Sequence, residues 1–228
     1  MRVGTVLERF AVAVALCAVA VAVSVAALTT PWFTRVVGGS DTTAASGLSR
    51  SGAITTAEQV RLFVTDRDAP PLPAEVGGRE GFDAQAVSHL VDVREVLLRA
   101  RTAGIVLALA LLVWFGVSLR RRRWGSIGSA LRWGGLACLI APPLLAVVGV
   151  ADFERLFTAF HGVFFKAGTW VFPADSLLIQ LFPERFWALS GISLALLVAL
   201  QGVVLMLLGR GVGRRAEAAE NGSESPRA

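Results

Sequence analysis

The chain has 228 residues, 54% of them apolar and only 17% charged, with a mean hydropathy of +0.63. An ordinary soluble domain is about 45–50% apolar and about 25% charged, so this composition excludes a disordered, collagen-like or disulfide-framed secreted chain and points to a membrane protein. The net charge of +5 comes from 22 basic residues, all arginine except Lys166, and their positions follow membrane topology rather than a nucleic-acid face.

Crossing about 30 Å of hydrocarbon takes about 20 apolar residues in a helix. Four stretches meet or approach that length: Phe10–Leu28, Thr102–Leu119, Ala130–Ala151 and Trp187–Leu208. The third contains Pro142-Pro143, which predicts a kink. Arg120, Arg121, Arg122 and Arg123 lie between spans two and three and Arg132 near the start of the third, with no acid among them. Further arginines precede span one and follow span four. The positive-inside rule therefore places residues 1–28 with a cytoplasmic N-terminus, the basic loop 120–129 in the cytoplasm and the polar tail 209–228 there too, disordered. Segments 29–101 and 152–186 then face outward and form a small helical cap. The fold class expected is all-α, four transmembrane helices with an extracytoplasmic cap. Ser24-Val25-Ala26 also allows span one to be read as a cleaved signal peptide, but retention agrees with an even number of spans. Cys17 and Cys138 fall inside spans and read as small core residues.

In the first outward segment, Pro31-Trp32-Phe33 is an interfacial aromatic pair, and Gly38–Gly52 reads as loop. Thr56 and Gln59 form a capping-box pattern that predicts a short helix ending near Val64. Asp68–Gly81, rich in Pro and Gly, reads as a linker. A second helix is predicted from Asp83, with Val87, Leu90, Val91, Leu97 and Leu98 at helical spacing; it either enters span two directly or breaks near Arg99–Arg101.

The second outward segment and the Trp187 that follows it hold ten of the chain's 19 aromatics. Phe153, Phe157, Phe160 and Phe164 share one helix face. They suit either an interfacial helix lying on the bilayer or an aromatic wall around an apolar ligand.

The chain has two histidines, His89 and His161, one in each outward segment. Asp92 follows His89 by three residues on the same helix face and is placed to orient the ring and raise its basicity. Imidazole is well matched to proton transfer near neutral pH. A zinc site formed with Asp92 or Asp175 lacks any short-spaced ligand pair, so neither metal nor cofactor is expected. No nucleophile elbow accompanies the pair. Rings within about 7 Å of each other would favour acid–base catalysis on one reacting atom, and a much wider separation would favour a protein that binds a lipid or partner without catalysis. A transporter is disfavoured because no span carries a mid-membrane charge.

The stretches Ser88–Val93 (SHLVDV), Phe160–Trp170 (FHGVFFKAGTW) and Asp175–Trp187 (DSLLIQLFPERFW) resemble the lipoprotein intramolecular transacylase family. The resemblance implies four transmembrane helices under an extracellular cap in a bacterial plasma membrane, with His89 and His161 as the catalytic pair. Around them it places Asp92, Phe160, Trp170, Asp175, Pro183 and Phe186. Phe157, Phe160, Phe164, Trp170, Asp175 and Phe186 are the residues expected to meet substrate. The implied reaction moves the sn-2 acyl chain of a diacylglyceryl lipoprotein to the α-amine of its N-terminal cysteine, yielding a lyso-form lipoprotein. The partners expected are that substrate and the bilayer, with no nucleic acid and a monomeric enzyme.

Overall fold

The computed structural model of the protein describes residues 3–37 and 46–223. Its helices are α1 (Val3–Leu28), α2 (Pro31–Val37), α3 (Arg50–Thr65), α4 (Ala84–Arg120), α5 (Trp124–Ala151), α6 (Phe153–Phe164), α7 (Leu177–Leu181) and α8 (Glu184–Ser223). Four of these, α1, α4, α5 and α8, are long and apolar enough to cross a membrane. They leave Ile105, Leu109, Leu112, Leu144, Val147, Leu196 and Leu200 exposed, as a lipid-facing surface requires. The protein is an all-α, multi-pass membrane protein.

The chain divides into two compact units. The first draws on Met1–Ser24, Ala103–Leu145 and Leu194–Ala228. Its core joins Val12 and Leu16 of α1 to Leu111 of α4 and to Ile127, Ala130 and Leu131 of α5. A second cluster packs Ala20, Cys138 and Val198. Among these apolar contacts, Gln201 Nε2 donates to Ser24 Oγ at 2.8 Å and to the Ala20 carbonyl at 3.2 Å, so its amide is satisfied inside the bundle. Glu8 accepts from Arg123 Nη1 and Nη2, at 2.9 and 2.7 Å, and from Trp114 Nε1 at 2.7 Å. The α5 helix continues through Pro142 and Pro143 without interruption.

The second unit comprises Val25–Thr102 and Ala146–Ser193. Its core packs Val60, Phe63 and Val64 of α3 against Ala86 and Leu90 of α4 and Leu178 of α7, flanked by Phe172 and Phe182. The α3 helix begins earlier than the capping-box pattern suggests. Ser49 is its cap and accepts from Gly52 N at 3.1 Å, whereas Thr56 lies in the interior and donates to the Gly52 carbonyl. The expected linker contains a two-stranded ribbon, β1 (Glu75–Val76) against β2 (Arg79–Glu80), antiparallel with Val76 opposite Arg79. Gly77 and Gly78 make its turn at φ +61° and +75°, values that favour glycine at both positions. Part of the loop expected over Gly38–Gly52 lies outside the described residues.

The α4 helix is unbroken from Ala84 to Arg120, so the cap helix enters span two directly. The Asp83 carboxylate accepts from Ala86 N at 2.6 Å at its start. The tail expected to be disordered from 209 onward is instead helical to Ser223. Its run of Ala and Glu after Arg215 consists of strong helix formers, which extend the span helix once it is nucleated.

Candidate active site

Both histidines lie in the second unit. The α6 helix starts at Asp152, whose carboxylate accepts from Arg155 N at 3.0 Å and complements the helix dipole. His161 is the one buried residue of this helix. A polar side chain holding the buried position of an aromatic helix is the reverse of ordinary amphipathic packing. His89 lies in the second turn of α4, between the core residues Ala86 and Leu90.

The two imidazoles are stacked, with ring centroids 6.1 Å apart and planes at 29°. They are 7% and 8% exposed. Aromatic rings enclose them: Phe157 at 3.9 Å, Trp170 at 4.6 Å and Phe160 at 5.5 Å from His161. Phe165 touches both, at 4.9 Å from His89 and 5.6 Å from His161. Phe172 lies 5.5 Å from His89.

Burial sets the electrostatics. Desolvation pushes the His89 imidazole down to about 4, aided by the neighbouring His161 and opposed by the Asp92 charge. Burial also lowers His161, opposed by its bond to the Phe157 backbone. Both rings are therefore neutral near pH 7. His161 Nδ1 lies 2.8 Å from the Phe157 carbonyl. A carbonyl oxygen only accepts, so Nδ1 carries the proton and Nε2 is the basic nitrogen. His89 Nδ1 and Trp170 Nε1 are buried with no hydrogen-bond partner. Groups of this kind are costly to leave unmet, so both N–H positions call for a partner.

The hydrogen bond expected between Asp92 and His89 is absent. Asp92 is exposed and influences the ring only through its charge. Its short side chain lets the carboxylate remain in solvent instead of bending back one turn to the buried ring. Of the other residues expected at the site, Phe157, Phe160 and Trp170 contact His161 directly. Phe164 packs on Phe160 at 5.1 Å and is half exposed. Phe186 packs on Phe33, Phe182 and Trp187, one layer away from the histidines. Asp175 is exposed and offers its backbone carbonyl to Arg79 Nη2 at 3.2 Å.

Sequence reasoning passed over Phe165 and Phe172 as site residues; only their membership in the aromatic-rich segment hinted at them. It also gave no sign of Gln85. The Gln85 amide donates to the Val171 carbonyl at 3.1 Å and the Gly168 carbonyl at 3.4 Å. It thereby holds the loop that presents Trp170, whose turn uses Gly168 at φ +83°. Among the described residues, no group of three His, Cys, Asp or Glu side chains is placed to hold a metal ion.

Comparison with known proteins gives one family model, one curated relative and solved structures of the same fold. The model of the lipoprotein intramolecular transacylase Lit matches residues 9–187. An uncharacterized protein of Aquifex aeolicus (strain VF5) is 27% identical over 133 residues, 58% of this chain and 58% of that relative. This chain thus aligns with less than two thirds of that relative's length. The in meso structure of the membrane integral lipoprotein intramolecular transacylase Lit from Bacillus cereus has the same fold, with a TM-score of 0.80 at 16% identity over 94% of this chain and 98% of that one. A form of that protein with a histidine replaced by alanine gives 0.70 at 15% identity, over 94% and 96%. With the family model taking in well over half of its length, the chain belongs to the lipoprotein intramolecular transacylase family, a family of membrane acyltransferases.

Proposed function

We propose that this protein transfers the sn-2 acyl chain of a diacylglyceryl lipoprotein to the α-amine of its N-terminal cysteine, using His89 and His161 without cofactor. The observation that carries this reading is the stacked, buried histidine pair inside an aromatic enclosure. Family membership supports the reaction class.

The attacking amine and the ester carbon close an eight-membered ring: amine nitrogen, Cα, Cβ, sulfur, two glycerol carbons, ester oxygen and acyl carbon. Such a ring is entropically awkward, and well-oriented intramolecular reactions gain about 7–11 kcal/mol. The walls formed by Phe157, Phe160, Phe165, Phe172 and Trp170 would hold amine and ester together. They would also exclude the water that otherwise hydrolyses the ester.

The free amine attacks the carbonyl carbon, forming the C–N bond, and gives its proton to His161 Nε2. The carbonyl oxygen becomes an oxyanion. It accepts hydrogen bonds from His89, a neutral imidazole, and from the orphaned Trp170 Nε1–H. The intermediate collapses as the C–O bond to glycerol breaks, and the His161 proton passes to that oxygen. Amide and free glycerol hydroxyl result, with no proton gained or lost. The Phe157 carbonyl fixes the His161 tautomer for this shuttle. Geometry thus favours His161 as base, the reverse of the assignment that the Asp92 spacing suggests.

Positive-inside reasoning places both termini in the cytoplasm and the histidine-bearing unit on the outer side, where lipoproteins mature. The deciding experiment expresses the protein with a reporter lipoprotein in a host lacking N-terminal lipoprotein acylation. The N-terminal lipopeptide is then fragmented by mass spectrometry, because intramolecular transfer leaves the intact mass unchanged. An acyl group on the amine with a free glycerol hydroxyl, lost in His161→Ala, is the expected result. An unaltered diacylglyceryl cysteine beside correctly inserted protein refutes the reading.

A further inference from the structure

The seam between α5 and α8 is lined with glycine. A Cβ on Gly135 would stand 2.6 Å from the Gly202 carbonyl, and one on Gly209 would stand 2.9 Å from the Gly128 carbonyl. The two backbones are therefore in contact, as small residues permit between membrane helices. Gly209 and Gly213 serve a second purpose. A Cβ there would meet Arg132, its Cγ at 2.9 Å and its Nη1 at 2.7 Å respectively. These two glycines leave the room that the Arg132 side chain occupies, and its Nη1 reaches the Gly209 carbonyl at 3.4 Å.

Beside this seated arginine opens a cleft of about 330 Å³, lined by Arg132, Leu207, Arg210, Gly213 and Arg214. Arg210 and Arg214 are one helical turn apart and share a face of α8. Three guanidinium groups thus line one cleft. None forms an ion pair among the described residues. Like charges gathered this way repel, and an anion relieves the repulsion. Exposed Val203, Val204 and Leu207 continue along α8 from the cleft and supply a wall for a hydrocarbon chain. A topology anchor needs only positive charge near the end of a span. It does not need glycines that seat one arginine in a cleft shared with two others.

We propose that this cleft binds the phosphodiester headgroup of an anionic phospholipid, with one acyl chain lying along Val203 and Leu207. Guanidinium forks match phosphate oxygens in pairs, and basic pockets between membrane helices are suited to such headgroups. A free phosphate shares the headgroup chemistry but would leave the apolar wall unused. The site belongs to the first unit and does not depend on the acyl-transfer reading.

The test uses the full-length protein, stripped of lipid in mild detergent and then offered dioleoyl-phosphatidylglycerol and dioleoyl-phosphatidylcholine in equal amounts, with retained lipid counted by native mass spectrometry. The wild type is expected to retain the glycerol lipid about tenfold over the choline lipid. Arg132→Gln, and separately Arg210→Gln with Arg214→Gln, should bring the ratio close to one. Arg215→Gln, outside the cleft, should leave it unchanged. The paired α8 variant changes exposed side chains, so the test stands even if the Arg132 variant does not fold. Equal retention by the wild type, or an equal loss in Arg215→Gln, overturns the proposal. Displacement of the lipid by inorganic phosphate at millimolar concentration would overturn the lipid and assign the cleft to free phosphate.

Discussion

His161 donates its Nδ1–H to the carbonyl of Phe157, one turn back on the same helix, across 2.8 Å. The bond leaves Nε2 as the basic nitrogen, and burial keeps the ring neutral near pH 7. His161→Ala removes that base, and acyl transfer is expected to fall by about 10²–10⁴-fold. His89→Ala should cause a loss of similar order. Thermal unfolding and gel filtration in detergent separate loss of chemistry from loss of fold. Full activity in both variants would end the dyad reading.

The Trp170→Phe substitution keeps the ring that packs 4.6 Å from His161 and removes the N–H. If that N–H stabilises the oxyanion, kcat should drop by about 10²–10³-fold with KM little changed. An unchanged kcat, with stability intact, would show that the Nε1–H does no more than face a neighbouring ring.

Gln85→Leu deletes the two bonds that hold the Gly168 and Val171 carbonyls. A net hydrogen bond is worth roughly 0.5–1.5 kcal/mol, so the loop carrying Trp170 should loosen and kcat should fall about 3- to 10-fold. Gln85 is a positioning residue, and Trp170→Phe should mask its effect. In the double variant, therefore, Gln85→Leu is expected to cost less than it does alone; simple additivity would show that it acts elsewhere.

The pH profile follows from the depressed histidines. Each has a folded-state pKa below its ordinary value, to about 4 for His89. The His89 ring therefore stays neutral as pH falls through the ordinary histidine range, and His161 takes up its proton at a lower pH than a free imidazole. The substrate α-amine protonates below about 7.7–8.0, so the acid limb of kcat/KM should follow the amine. A substrate with a less basic amine should move that limb downward. A limb fixed near 6.5 regardless of the amine would contradict the burial. The same shifts govern stability. The unfolded chain takes up protons first, so stability is complete above about 6.5 and is lost as pH falls towards about 4.

Gly135→Ala should destabilise the bundle, because the added Cβ would stand 2.6 Å from both the Gly202 carbonyl and Met206 Cγ. Overpacking of this kind costs about 1–3 kcal/mol, read as a lowered melting temperature in detergent. Gly116→Ala, where a Cβ meets nothing within 4 Å, is the matched control and should leave the melting temperature unchanged or higher.

Composition and periodicity alone established four apolar spans, the segments between them and the concentration of aromatic residues around His161. These properties are local: span length, charge asymmetry and helical spacing depend only on neighbours in the chain. The boundaries shifted where local signals competed. Ser49 outcompetes Thr56 as the α3 cap, and helix-forming Ala and Glu carry α8 past its span. The sequence also supplied the two histidines, but not that their rings stack 6.1 Å apart or that Asp92 stays in solvent. Only packing of α4 against α3 and α7 and burial of one face of α6 decided those points. Tertiary structure alone brought Phe165 and Phe172 onto His89, left the Trp170 N–H without a partner and seated Arg132 between glycines. Each of these depends on residues distant in sequence meeting at short range, which no local pattern of residues encodes.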